Sequence, residues 1–258
     1  YYKLTNNELS NMQKKYYEYK LTSTNDEEIN TSRKYFFQLK TAKEHNEQYI
    51  DANAFEREKK SHYEKTRSSQ LKDGGMWDNL YKPGHLHGIW LDNNTKINKA
   101  VDIGCGSGWF INYLNSKYKF PLNNIYGIEP SHGAINIAKK LYPDTVNEIN
   151  YVCGFAEDEL LKLNLNNKPT LFTTFIVLSH IEDEVVIKIL DSINKKAPSG
   201  SVIIFNENYG PEFHMKLWHS RTKKWWEDHL HGWKLQYDTR SRPDLGNKYA
   251  QGIYGIKK

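Results

Sequence analysis

One continuous stretch carries the clearest chemical signal: Val101-Asp102-Ile103-Gly104-Cys105-Gly106-Ser107-Gly108-Trp109. An apolar run with strand character ends in a glycine-rich turn and opens directly into a helical pattern, Phe110 to Tyr118. Glycines at such a turn let a ligand approach the backbone closely. Dinucleotides also bind at turns of this kind, but with GxGxxG spacing and a pyrophosphate seated on the helix N-terminus. Here the spacing is GxGxG, and Asp102 stands just ahead of it. A carboxylate there repels a pyrophosphate and suits a ligand that bears an ammonium and a sulfonium.

Four more polar segments follow, each at the end of an apolar run. They are Glu129-Pro130 after Ile125-Tyr126-Gly127-Ile128; Gly154-Phe155-Ala156-Glu157; Phe175-Ile176-Val177-Leu178-Ser179-His180-Ile181-Glu182-Asp183; and Asn206-Glu207-Asn208-Tyr209. In this order and spacing the chain resembles the class I S-adenosylmethionine (SAM) dependent methyltransferase family from about residue 97 to 258. The resemblance implies SAM as cofactor and S-adenosylhomocysteine as product. It implies that Asp102, Gly104, Cys105, Gly106 and Trp109 belong to the cofactor turn. Glu129, beside Pro130, matches the acidic residue that takes both ribose hydroxyls, since a carboxylate offers two acceptor oxygens to two vicinal donors. Phe155, Ala156 and Glu157 match the adenine segment, and Phe175 and Ile176 begin the segment that lines the methyl donor. Asn208 and Tyr209 are expected to face the acceptor.

His180 has two readings. As a general base it would take the acceptor's proton while the methyl arrives, a contribution of about 10²–10⁴-fold. Alternatively Ser179 and Glu182, with S-x-x-E spacing, form a capping box that starts a helix at Ile181 and leaves His180 in its first turn. Methyl transfer from a sulfonium draws much of its acceleration from positioning, so an amine acceptor does not require a base. For a hydroxyl acceptor the other candidates are Glu207, His214, His85 and His87. Trp77, Tyr81, Trp90 and Trp109 are placed to shield a sulfonium or to close the site.

The elements that must position these groups alternate in type. Strands are expected near 99–103, 124–128, 149–153, 170–176 and 201–207, with helices near 109–117, 132–141, 157–163, 182–195 and 213–230. Repeated βα units imply a parallel sheet. Trp233 to Tyr237 and Tyr249 to Ile256, joined by a loop too short for a crossover helix, read as an antiparallel hairpin at the sheet edge. The expected fold is α/β and Rossmann-like, a seven-stranded, mostly parallel sheet with an antiparallel edge strand and an N-terminal helical extension. Residues 1–72, without glycine or proline, form that extension; 73–258 form the catalytic domain. Within it, 73–96 is a lid rich in aromatics and imidazoles, and 214–233, with His214 and Arg221, is an acceptor-binding insert.

The formal net charge of +5 arises from 36 Lys and Arg against 31 Asp and Glu spread along the chain, which argues for a solvated surface over a nucleic-acid groove. Two separated cysteines, Cys105 and Cys153, offer neither a disulfide framework nor a metal site and fit a reducing cytoplasm. No metal is expected, and no apolar run approaches the roughly 20 residues of a membrane span. The first residue is Tyr1, which fits a piece of a longer polypeptide; the extension is a candidate contact for a second subunit or for that remainder. Thr174-Phe175-Ile176-Val177 lacks the Asn/Asp-Pro-Pro-aromatic turn of base-methylating relatives, which argues against nucleic acid as acceptor. The Lys, Asn, Ile and Tyr bias resembles proteins of AT-rich bacterial or phage genomes, where such enzymes often modify surface glycans or secondary metabolites. A sugar or another polar small molecule is therefore the first expectation for the acceptor. The alternatives are a protein α-N-terminal methyltransferase and a SAM-binding scaffold without turnover. If the cofactor assignment holds, Asp102→Ala and Glu129→Ala each weaken SAM binding by about 1–3 kcal/mol in a calorimetric titration while the protein stays folded.

Overall fold

The structure is a computed structural model that describes residues 56–57, 97–143, 149–210, 213–215, 218–237, 241–242 and 246–258. The expected lid, 73–96, with Trp77 and Tyr81, lies outside the described residues, as does the extension 1–72 apart from 56–57.

Parallel strands must be covered on both faces, so they are expected to be buried throughout. This holds for β1 (Ala100–Ile103), buried at every residue, and nearly so for β2 (Ile125–Glu129), β4 (Leu171–Phe175) and β5 (Val202–Tyr209). Successive residues feed opposite sides. Val101, Ile103, Phe172, Ile203 and Phe205 pack on one face with Ile189, Leu190 and Ile193 of α4 (Asp183–Lys196). Ala100, Leu171, Val202 and Ile204 pack on the other with Ile111 and Leu114 of α1 (Trp109–Tyr118). Between them lie α2 (His132–Leu141), started by Ser131 Oγ accepting from the Ala134 amide at 3.1 Å, and β3 (Asn150–Cys153), followed by the short α3 (Ala156–Glu159).

Beyond β5 the chain forms β6 (Phe213–Met215), β7 (Trp218–Ser220), α5 (Lys223–His229), β8 (Trp233–Tyr237), β9 (Ser241–Arg242) and β10 (Gly246–Lys257). The sheet order is β3-β2-β1-β4-β5-β10-β8, with β9 paired to β10 alone. β1 to β5 pair in parallel, and the order turns back between β1 and β4, where open α/β sheets bind ligands at the strands' C-terminal ends. The antiparallel strand is β10, which enters between β5 and β8 and leaves β8 at the edge. A register shift between Gln251 and Ile253, at Gly252 with φ 118°, lets it bend there.

The expected helix over 213–230 is corrected. Residues 213–215 and 218–220 pair antiparallel, Phe213, His214 and Met215 opposite Ser220, His219 and Trp218, and helix begins only at Lys223. Phe213 and Met215 alternate within β6, and Trp218 and Ser220 within β7, the two-residue period of a strand. Thr222 then caps α5, its Oγ1 accepting from the Trp225 amide at 3.1 Å.

Ile189 is fully buried between α4 and the sheet. Ile189→Ala is expected to lower the unfolding free energy by about 2–5 kcal/mol in urea titration without altering the sheet.

Candidate active site

The glycine-rich turn leaves β1 with Gly104, Gly106 and Gly108 all at positive φ, 69°, 52° and 78°. At Gly104 the requirement is steric as well, because a Cβ would lie 2.4 Å from Val177 Cγ2. The Gly104 and Cys105 amides donate to the Ile128 carbonyl at 2.8 and 3.1 Å, which ties the turn to β2. Glu129, buried at the end of β2, accepts from the Gly106 amide at 3.0 Å and from the Ser131 amide at 2.8 Å. The Glu129 carbonyl receives the Gly154 amide at 3.2 Å, so the turns after β1, β2 and β3 form one hydrogen-bonded ledge.

Asp102 is buried on β1 and accepts the Thr173 hydroxyl at 2.8 Å. Burial lifts its carboxyl to about 7; the Thr173 hydrogen bond opposes that shift and the Glu129 charge adds to it. A positively charged ligand would favour the ionised form of such a carboxyl. Thr173 is a site residue that the motif does not contain. It lies directly across the β1–β4 ladder from Asp102, so strand register is the signal that finds it.

The opposite wall is the loop after β4. Ile176 has φ 54°, a conformation rare for a β-branched residue that costs about 1–3 kcal/mol. Its amide donates to the Asn206 carbonyl at 3.1 Å. The following amides converge on Glu207: Val177 and Leu178 on Oε1 at 2.8 and 3.1 Å, and Ser179 on Oε2 at 2.9 Å. The Ser179 hydroxyl donates to Oε2 at 2.7 Å. From the other side Arg221 donates to the Leu178 carbonyl at 2.8 Å, the Ile181 carbonyl at 2.6 Å and Asp183 Oδ1 at 2.8 Å.

These contacts change several expectations. Glu207 and Arg221, considered as a base and as an acceptor contact, are 0 and 1 % exposed, and both bind the chain's own loop. The Ser179–Glu182 capping box does not form: α4 starts at Asp183 with no side-chain cap, and the Ser179 hydroxyl is committed to Glu207. The Cys105 thiol lies against Gly127 in the core, and burial pushes it up, so only its backbone lies in the turn. Tyr209 is also buried, its ring 5.2 Å from that of Tyr237. The other expected residues lie along the ledge and its mouth. Trp109, half-buried, stacks on Tyr113 at 5.2 Å, and Phe175 packs on Phe110 at 4.4 Å. Phe155 and Glu157 are half-buried around buried Ala156, and Pro130 is exposed. Asn208 pairs with Gln251, and His214 with His219, in their ladders. His180 ends the turn Leu178–His180 with its side chain exposed and its amide donating to the Val177 carbonyl at 3.0 Å.

Residues 7–241 match a family model described as a methyltransferase domain. No curated protein sequence matches the chain. Among solved structures, the chain is similar to Haemonchus contortus phosphoethanolamine N-methyltransferase 2 in complex with SAM, at 11% identity and a TM-score of 0.52, over 83% of this chain and 60% of that one. It is also similar to the MccD protein, at 13% identity and a TM-score of 0.51, over 68% and 99%. A third likeness is to magnesium protoporphyrin IX methyltransferase from Synechocystis PCC 6803 with bound SAM, at 16% identity and a TM-score of 0.48, over 70% and 89%. With the family model covering most of its length and the glycine turn, Glu129 ledge and strand order in place, this chain belongs to the class I SAM-dependent methyltransferase family, and its cofactor is SAM.

Proposed function

We propose that the enzyme transfers the methyl group of SAM to an O or N atom of a sugar or another polar small molecule, in the cytoplasm, in surface-glycan or secondary-metabolite modification. The observation that carries this reading is His180, an exposed imidazole at the end of a loop whose backbone is otherwise held by buried charges. The half-buried Trp225 of α5, stacked on His229 at 4.3 Å, supports a polar acceptor. Among the described residues no helix is long and apolar enough to cross a membrane.

The residues present fit SAM. Three glycines leave backbone, not side chains, along the turn, and two buried carboxyl groups, Asp102 and Glu129, close its ends. SAM supplies a methyl group on a positively charged sulfur, displaced in line with a good leaving group. Asp102 then holds positive charge, and Glu129 offers its oxygens to hydroxyls while keeping the Gly106 amide in place. The loop from Ile176 to His180 excludes water from one side. A His180 ring nitrogen takes the proton of a hydroxyl acceptor; an amine arriving unprotonated places no such demand on it.

The Asp102 carboxyl gives this reading a pH signature. Because SAM carries positive charge, it binds the ionised form better, so affinity is expected to rise between about pH 6 and 8 in calorimetric titration. Asp102→Asn is expected to flatten that rise. In the protein alone the sign is opposite. A carboxyl raised from 3.8 to about 7 contributes stability that is fully present below 3.8 and is lost as pH rises through 7. Stability that stays constant across that window would show that the acid is already ionised.

The acceptor is tested by incubating the protein with methyl-labelled SAM and an extract of the source cells, then separating glycan, small-molecule, protein and RNA fractions. Label in glycan or small molecules is expected, and His180→Ala is expected to slow its appearance by about 10²–10⁴-fold for a hydroxyl acceptor while SAM still binds. Label in protein or RNA overturns the acceptor class. Absence of label in every fraction favours a binding domain.

A further inference from the structure

Glu207 and Arg221 lie on elements that the cofactor motifs do not include, and both grip the same stretch of backbone. Leu178 is held at both ends of its residue: its amide by the Glu207 carboxylate at 3.1 Å and its carbonyl by the Arg221 guanidinium at 2.8 Å. The carboxylate gathers amides from one side while the guanidinium gathers carbonyls from the other. Their opposite charges also attract, which favours the charged form of Arg221 against its burial.

This grip acts on a loop that would not keep its shape unaided. Ile176, at φ 54°, enters the loop in a conformation that L residues with branched side chains avoid. The next residue, Val177, donates its amide to Glu207 at 2.8 Å and presses its side chain into the space that a Cβ on Gly104 would fill. Release of Val177 would therefore reach the cofactor turn directly. Arg221 also sits at the foot of the β6–β7 hairpin, where its carbonyl accepts from the Gly210 amide at 3.2 Å. One side chain thus joins the hairpin to the wall of the donor site.

We propose that Glu207 and Arg221 are positioning residues that hold the 176–183 loop in its strained conformation against the glycine turn, so that SAM affinity depends on a carboxylate and a guanidinium that need not touch SAM. The inference rests on the reading of this loop as a wall of the methyl-transfer site.

The test is calorimetric titration of the whole chain with SAM, for wild type, Glu207→Gln, Arg221→Lys and Ile176→Gly, and for each latch variant combined with Ile176→Gly. Glutamine keeps the shape of Glu207 but turns an NH2 toward the Ser179 donors, and lysine lacks the fork that serves three acceptors. Glu207→Gln is expected to weaken SAM binding by about tenfold or more. In the Ile176→Gly background the same change is expected to cost about threefold or less, because glycine adopts this backbone conformation without restraint. A residue that served only global stability would lower the melting temperature, and glycine at 176 would not restore SAM affinity. Where Glu207→Gln does not fold, Arg221→Lys carries the same two expectations. Wild-type affinity in the latch variants, or a loss that Ile176→Gly leaves unreduced, overturns the latch and leaves the cofactor site standing. Failure of wild type to bind SAM overturns the site reading itself.

Discussion

Four hydrogen bonds converge on the Glu207 carboxylate, and the loop after β4 has its shape because of them. A carboxylate taken out of water costs several kcal/mol unless its lone pairs find donors. Here the donors are consecutive loop amides and one hydroxyl, so the bonds that satisfy the charge also fix the backbone. Arg221 obeys the same rule with the sign reversed, spending its planar fork on two loop carbonyls and on Asp183. Neither residue can be relaxed alone without stranding buried groups on the other side of the loop. That mutual dependence is what allows a β-branched residue to remain at positive φ at the start of the wall.

Asp102 is the instructive contrast, because it is buried like Glu207 but, among the described residues, is met by one side-chain donor, the Thr173 hydroxyl. Its pKa rises to about 7 for want of compensation. One buried carboxyl is supplied with donors by its own chain and builds structure; the other is supplied sparsely and has charge-binding capacity left over. Glu129 lies between these cases. It spends oxygens on the Gly106 and Ser131 amides, which aligns the turn at the C-terminal end of β2.

Much of this was legible in the sequence where the cause is local. The glycine turn, the βα alternation and Glu129 at the end of the second strand each follow from neighbouring residues, and β1 to β5 fall within a residue or two of their expected ends. The roles of Glu207 and Arg221 were not legible, since their partners lie 28 to 43 residues away and no periodicity encodes such pairs. Ser179 shows how a local rule loses to a distant one. Its spacing to Glu182 suits a capping box, but a buried carboxylate competes for the same hydroxyl and wins it. The pairing of 213–215 with 218–220 departs from the expected helix over 213–230, since strand pairing is a contact between two segments and not a property of either alone.

The acceptor side resists reading for a related reason. β1 to β5 must cover two faces and end in turns, so their sequences are constrained by packing that any reader can reconstruct. The hairpin and α5 are constrained instead by what they lean against. His219 is buried, with Nε2 4.0 Å from Glu182 Oε2, and α5 sends Trp226 fully into the core beside Phe205. The hairpin is thus anchored at Glu182, beside the loop after β4, and α5 on the core face of β5. The hairpin is tied to that loop through His219 and Arg221, so a change in its sequence would alter the loop's geometry. The position of this region is therefore bound to a few buried polar contacts, which exposed composition cannot reveal.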